Sequence, residues 1–142
     1  METTSGGYSR LAAEYNWHLR NGELGKCGKD QFLMAAALRE EGRRVDELKA
    51  LMLSFFFGLN GVDSGPAINR STSKRAAEAF AASGMSFHEM EELYTDTIRQ
   101  DTVPRPVMLV KDSLYVFEIC LEGMFEEADA ILVRFMEAPT KR

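Results

Sequence analysis

The chain has 142 residues, 45 % hydrophobic and 27 % charged, the size and balance of one soluble domain with a single core. Ala (15), Leu (14), Glu (15) and Met (8) far outnumber Val (7), Ile (4) and Thr (7). Residues that lose little rotamer freedom in a helix therefore dominate the β-branched ones that suit strands, which excludes an all-β fold. No apolar run approaches the roughly 20 residues of a membrane span. The net charge of −5 is uneven. Residues 1–75 carry 11 Lys/Arg against 9 Asp/Glu, a balance of +2, while residues 76–142 carry 6 against 13, a balance of −7. An acidic half repels a phosphate backbone and complements a basic protein surface, so a protein partner is expected rather than nucleic acid or membrane.

Proline at 66, 104, 106 and 139 leaves long stretches open to helix. A first helix is expected over about 8–19, with Tyr8, Leu11, Ala12, Tyr15 and Leu19 on one side. The glycine-rich stretch 21–30 reads as a turn, after which Asp30 caps a helix over about 31–41. Gly42 interrupts, and a helix over about 44–57 carries Val45, Leu48, Leu51, Met52 and Phe55. Residues 58–73, rich in Gly, Asn and Ser, read as a long loop. A helix over about 74–83 stops at Gly84, and Ser86-Phe87-His88-Glu89 is a capping box that starts the next over about 87–100. The segment DTVPRP (101–106) ends it. Asp112 caps a helix over about 113–121, and a last helix over about 124–137 turns Phe125, Ala128, Ile131, Leu132 and Phe135 inward.

One arrangement recurs: two helices joined by a short turn that opens with Gly, at Gly42, Gly84 and Gly123. Glycine accepts the left-handed conformation that stops the first helix, and short turns predict antiparallel neighbours. The string CLEGMFEEA (120–128) resembles the turn of tetratricopeptide and pentatricopeptide repeats, with Gly123, Phe125, Glu127 and Ala128 in the matching order. The resemblance covers mainly residues 113–137 and implies a helical-hairpin architecture. The glycine spacings of 42 and 39 exceed the repeat of about 34 residues in the tetratricopeptide family, and the first two hairpins lack the Glu-Ala pair. As a pentatricopeptide unit, the third hairpin would place its base-reading position near Leu114, an apolar residue that reads no base edge. The expected fold is all-α, one domain over 1–142. It has six or seven helices in three αα-hairpins, stacked as a solenoid or closed as a bundle.

Chemistry is sparse. Neither Gly25-Lys26 nor Gly28-Lys29 fits a phosphate loop, because Cys27 and Asp30 stand where Ser or Thr is required. Cys27 lies between Lys26 and Lys29 and reads as an alkylatable surface thiol; a small enzyme or redox sensor built on it would need His18 or His88 as its base. Cys120 sits in an apolar pattern, as a buried small hydrophobe would. The carboxylates of 89–129 lack the Glu-x-x-His pairs of a di-metal bundle, so no metal, cofactor or catalytic residue is assigned. Two cysteines without metal-type spacing point to a reduced, cytoplasmic setting, and Arg10 and Arg20 beside Glu14 leave organellar import open. The most unusual string is LSFFFGL (53–59), whose three consecutive rings point about 100° apart on a helix. Either other helices enclose them or one ring is exposed for a partner. The favoured function is a non-catalytic protein-interaction module: an adaptor, chaperone or assembly subunit, with a homodimer also open. Its apolar groove would use Leu48, Met52, Phe55, Phe56, Met85 and Met90, with Met108 beside them. An RNA-binding helical repeat and the Cys27 enzyme are the alternatives.

Overall fold

The computed structural model describes residues 3–60, 70–100 and 109–137. These form seven helices: α1 (Thr3–Arg20), α2 (Leu24–Glu40), α3 (Arg44–Asn60), α4 (Arg70–Ser83), α5 (Phe87–Gln100), α6 (Val110–Leu121) and α7 (Phe125–Glu137). The fold is all-α. The break at 101–106, Met108 and the side chain of Phe135 lie outside the described residues, as does the 61–69 part of the expected loop.

The packing is organised around α3. Its eleven buried residues cover every direction around the axis rather than one stripe, the mark of a helix enclosed by others. α2 and α4 flank it along most of its length, and α5 and α6 touch it as well. The three phenylalanines divide among these neighbours. Phe57 meets Tyr15 of α1 edge-on, with ring centroids 5.9 Å apart. Phe55 meets Phe117 of α6 at 5.1 Å, and Phe117 in turn meets Tyr94 of α5 at 4.9 Å. Phe56 lies fully inside the core. One helix thus supplies aromatic anchors to two others, α1 and α6, and Phe117 extends the chain of rings to α5, which ties the stack together through dispersion and area burial.

Three of the turns share one construction. At Gly42 (φ +76°) the glycine N–H donates to Arg39 O at 3.0 Å, and the following Arg43 N–H donates to Leu38 O at 3.0 Å. This pair of bonds satisfies carbonyls that the helix end leaves open. The same pair recurs at Gly22, onto Leu19 O and His18 O, and at Gly123, onto Cys120 O and Ile119 O. The turn at Gly84 is reinforced by a side chain instead: Ser83 Oγ donates to Phe80 O (2.7 Å) and accepts from Met85 N–H (3.1 Å). Beyond it α5 leaves α4 and packs on α3 and α6, so this hairpin is not the antiparallel pair that its short turn predicts. The apolar stripe of α5 overrides the turn, because Met90, Tyr94 and Ile98 are buried only when it faces α3 and α6.

Several boundaries move. α2 begins at Leu24 rather than 31, so Asp30 lies inside the helix and caps nothing. Glycines inside a helix cost roughly 1 kcal/mol each relative to Ala, which is why the sequence reads as a turn here. Gly28 has a packing reason. A methyl group there would sit 3.3 Å from Phe57 Cβ and 3.4 Å from Ser54 O, and Ser54 Oγ donates to Gly28 O at 2.8 Å. The expected 58–73 loop is shorter at both ends. α3 continues through the buried Leu59 to Asn60, and α4 starts at Arg70 with Thr72 and Ser73 buried. α6 starts at Val110 with Leu109 as its N-cap; Asp112 lies in the first turn, where the helix dipole favours it. The capping box forms as read: Ser86 Oγ accepts from Glu89 N–H (3.0 Å) and Glu89 Oε1 from Ser86 N–H (2.8 Å).

Candidate functional site

Five of the six residues assigned to an apolar groove are core residues. Leu48, Met52 and Met90 are 0 % exposed, and Phe55 and Phe56 are 1 %. Only Met85, in the turn before α5, is partly open. The enclosure of α3 by its neighbours explains the placement. These side chains hold the stack together and present no groove at the surface, and the same enclosure settles the Phe55–Phe57 run in favour of the core.

The α1–α2 hairpin holds a polar cluster that reaches the interior. His18 Nδ1 lies 2.5 Å from Asp30 Oδ2, and Asp30 is nearly buried. Glu23 Oε1 stands 4.0 Å from the other ring nitrogen. The pair is a clasp between helices. It was hidden in the sequence because 21–30 read as a turn, which took Asp30 out of the helix and off its His18-facing side. Cys27 is fully buried, which corrects the surface-thiol reading: inside α2 it turns toward the core with Gly28, Met34 and Ala35. A reagent reaches such a thiol only when the hairpin opens. Cys120 is also buried, and burial pushes its thiol up to about 11, so it stays protonated.

The second polar region is the acidic face of α5 and α6. Glu91 on α5 lies across the helix contact from Glu118 on α6, with Glu122 one turn further along α6. Burial, followed by the Glu91 carboxyl and the charges of Glu91 and Glu122, raises Glu118 to about 7. Its Oε2 atom is shut off from solvent and receives no amide or hydroxyl donor among the described residues. A cleft of about 420 Å³ lies along α5, lined by Glu91, Glu92, Thr95 and Asp96. The i,i+4 spacing of Glu118 and Glu122 is visible in the sequence; the approach of Glu91 from another helix is not. Below this face, Tyr94 and Ser113 join α5 to α6 through a 2.8 Å hydrogen bond. Burial raises the Tyr94 hydroxyl, which keeps it neutral.

Among the described residues, the second half of the chain carries most of the exposed large apolar side chains: Phe87, Leu109, Tyr115, Met124 and Val133, against Trp17, Leu33 and Val45 in the first half. A second cleft of about 400 Å³ at the start of α7 is lined by Arg70 and residues 123–127. There the Arg70 guanidinium lies over the Phe125 ring at 4.9 Å and reaches Asp129 at 3.2 Å. Among the described residues no group of three or more His, Cys, Asp or Glu is placed to hold a metal ion. No described helix is long and apolar enough to cross a membrane. No family model, curated protein or solved structure matches the chain.

Proposed function

We propose that the chain is a non-catalytic protein-interaction module whose partner is a basic, amphipathic segment. The observation that carries this reading is a coincidence. Among the described residues, five of the eight exposed large apolar side chains lie in the half of the chain whose charge balance is −7. Apolar residues left in water lose free energy unless something covers them, and surrounding carboxylates select a cationic occupant and speed its arrival. The resemblance of the α6–α7 hairpin to tetratricopeptide repeats supports the same reading, since stacked hairpins offer extended surfaces for partner segments. The contact surface is then Leu109, Tyr115 and their exposed neighbours, and Leu48, Met52, Phe55, Phe56 and Met90 hold it in shape from within.

The test uses helical peptides rich in Lys and Arg with one apolar face, beside charge-reversed copies. Binding of the basic set alone is expected, weakening as salt is raised. Tyr115→Asp should reduce it tenfold or more, a loss of about 1.4 kcal/mol, at an unchanged unfolding midpoint. Equal binding of both peptide sets, or of neither, would sink the reading.

A further inference from the structure

We propose that the basic, amphipathic segment received by the acidic half is α1 of a second copy of this chain, so that copies join head to tail, α1 of one on α7 of the next. The inference rests on the reading above and names its partner. Among the described residues, α1 packs mainly against α2 and α7 mainly against α6. Each borders the stack and turns one long face to solvent.

The outward face of α1 follows from its inward one. Tyr8, Leu11, Ala12, Tyr15 and Leu19 are buried or half-buried against the core. The helical turn places Arg10, Ala13, Trp17 and Arg20 on the opposite side, and all four are exposed. Trp17, 58 % exposed, stands between the two arginines. Glu14 beside Arg10 is the one acidic residue of this helix. On α7, Ala128 and Leu132 are buried, and Phe125 and Ile131 are half-buried. Glu126, Ala130 and Val133 lie opposite them and are exposed. Glu127 and Asp129 flank this stripe, with Asp129 reaching Arg70 at 3.2 Å. Arg134 is the one cation among the described side chains of α7.

The two faces complement each other. Each has an alanine near its middle, which lets helix backbones approach and leaves room for the Trp17 indole beside Val133. The arginines of one face meet the carboxylates of the other. Charge also selects against the symmetric pairings: α1 on α1 sets arginines against arginines, and α7 on α7 sets carboxylates against carboxylates. The favoured contact is therefore heterologous. It leaves an open α1 and an open α7 on every pair, so assembly continues past two. Stacked helical repeats stay soluble by placing polar side chains on their outermost faces. Here a tryptophan and a valine occupy those faces. One helix face on another is a small contact, so the association is of the weak, transient kind and shows at high concentration.

The experiment is sedimentation of the full chain over roughly 1 µM to 1 mM. The average mass should rise beyond that of a dimer, and raising the salt should reverse it. Trp17 is the only tryptophan, so its emission reads the contact without any variant and should shift to the blue as the mass rises. Trp17→Glu and Val133→Glu change exposed positions. Each alone should weaken association at least tenfold at an unchanged unfolding midpoint. Mixed in equal amounts they should form a one-to-one pair and nothing larger, because each supplies the face that the other lacks. A mass that stays at the monomer, growth that stops at a dimer in the wild type, or a mixture that stays monomeric overturns the proposal. If basic amphipathic peptides still bind a chain that never self-associates, this inference alone falls. If they fail too, the wider reading falls with it.

Discussion

At the α2–α3 contact the backbones come close enough that a methyl group at Gly28 would crowd Phe57 Cβ at 3.3 Å, and Ser54 bonds across to its carbonyl. At the α5–α6 contact the approach is made by side chains, with a Tyr94–Ser113 hydrogen bond in the interior and facing carboxyls near the rim. Both contacts join helices of the same stack, yet they depend on different variables. The first is fixed by shape and responds to volume. The second is fixed by a side-chain hydrogen bond, with carboxyls rather than backbone at its rim. Rigidity in a helical stack is therefore a property of each contact.

The comparison breaks most directly at its centre. Phe56→Ala removes a ring from the enclosed side of α3 and should cost about 3–5 kcal/mol, read as a fall in the urea midpoint. A loss under about 1 kcal/mol would mean that the ring is not core and would restore the groove reading. Gly28→Val should cost about 1–3 kcal/mol by overpacking against Phe57 and Ser54, with protection lost first in α1 and α2. Ser86→Ala removes the cap of α5 and should cost about 1 kcal/mol. If the two halves differ as described, that loss appears in α5 exchange at constant pH and leaves α2 unchanged. A double-mutant cycle on Arg39 and Glu78, an exposed pair 3.3 Å apart that ties α2 to α4, should return only about 0.2–1 kcal/mol. A larger coupling would show that charge also holds the first half together.

The sequence makes local instructions legible. The Ser86–Glu89 capping box and the stops at Gly42 and Gly123 are decided within a few residues, and the structure forms them where they are read. Contacts between distant segments are a different matter. Gly25 and Gly28 argue for a turn on propensity alone, and the reason Gly28 belongs in a helix lies on α3, 26 residues away at Ser54. The His18–Asp30 clasp is lost with that error. The phenylalanine run is legible as a problem, since one face cannot bury three rings, but the number of helices around α3 decides it. The Glu91–Glu118 approach depends on α5 leaving α4, which no turn motif announces.

The left-handed glycines have a consequence for how such a chain tolerates shortening. Each of Gly22, Gly42 and Gly123 bends the path back on itself using only its own neighbourhood. Direction along the stack is therefore a matter of parity. Excising one helix with its turn would send every later helix the opposite way and set its apolar stripe against the wrong neighbour. Excising two would restore the heading and ask only that a new pair of faces fit. Length in this architecture changes most easily in even steps.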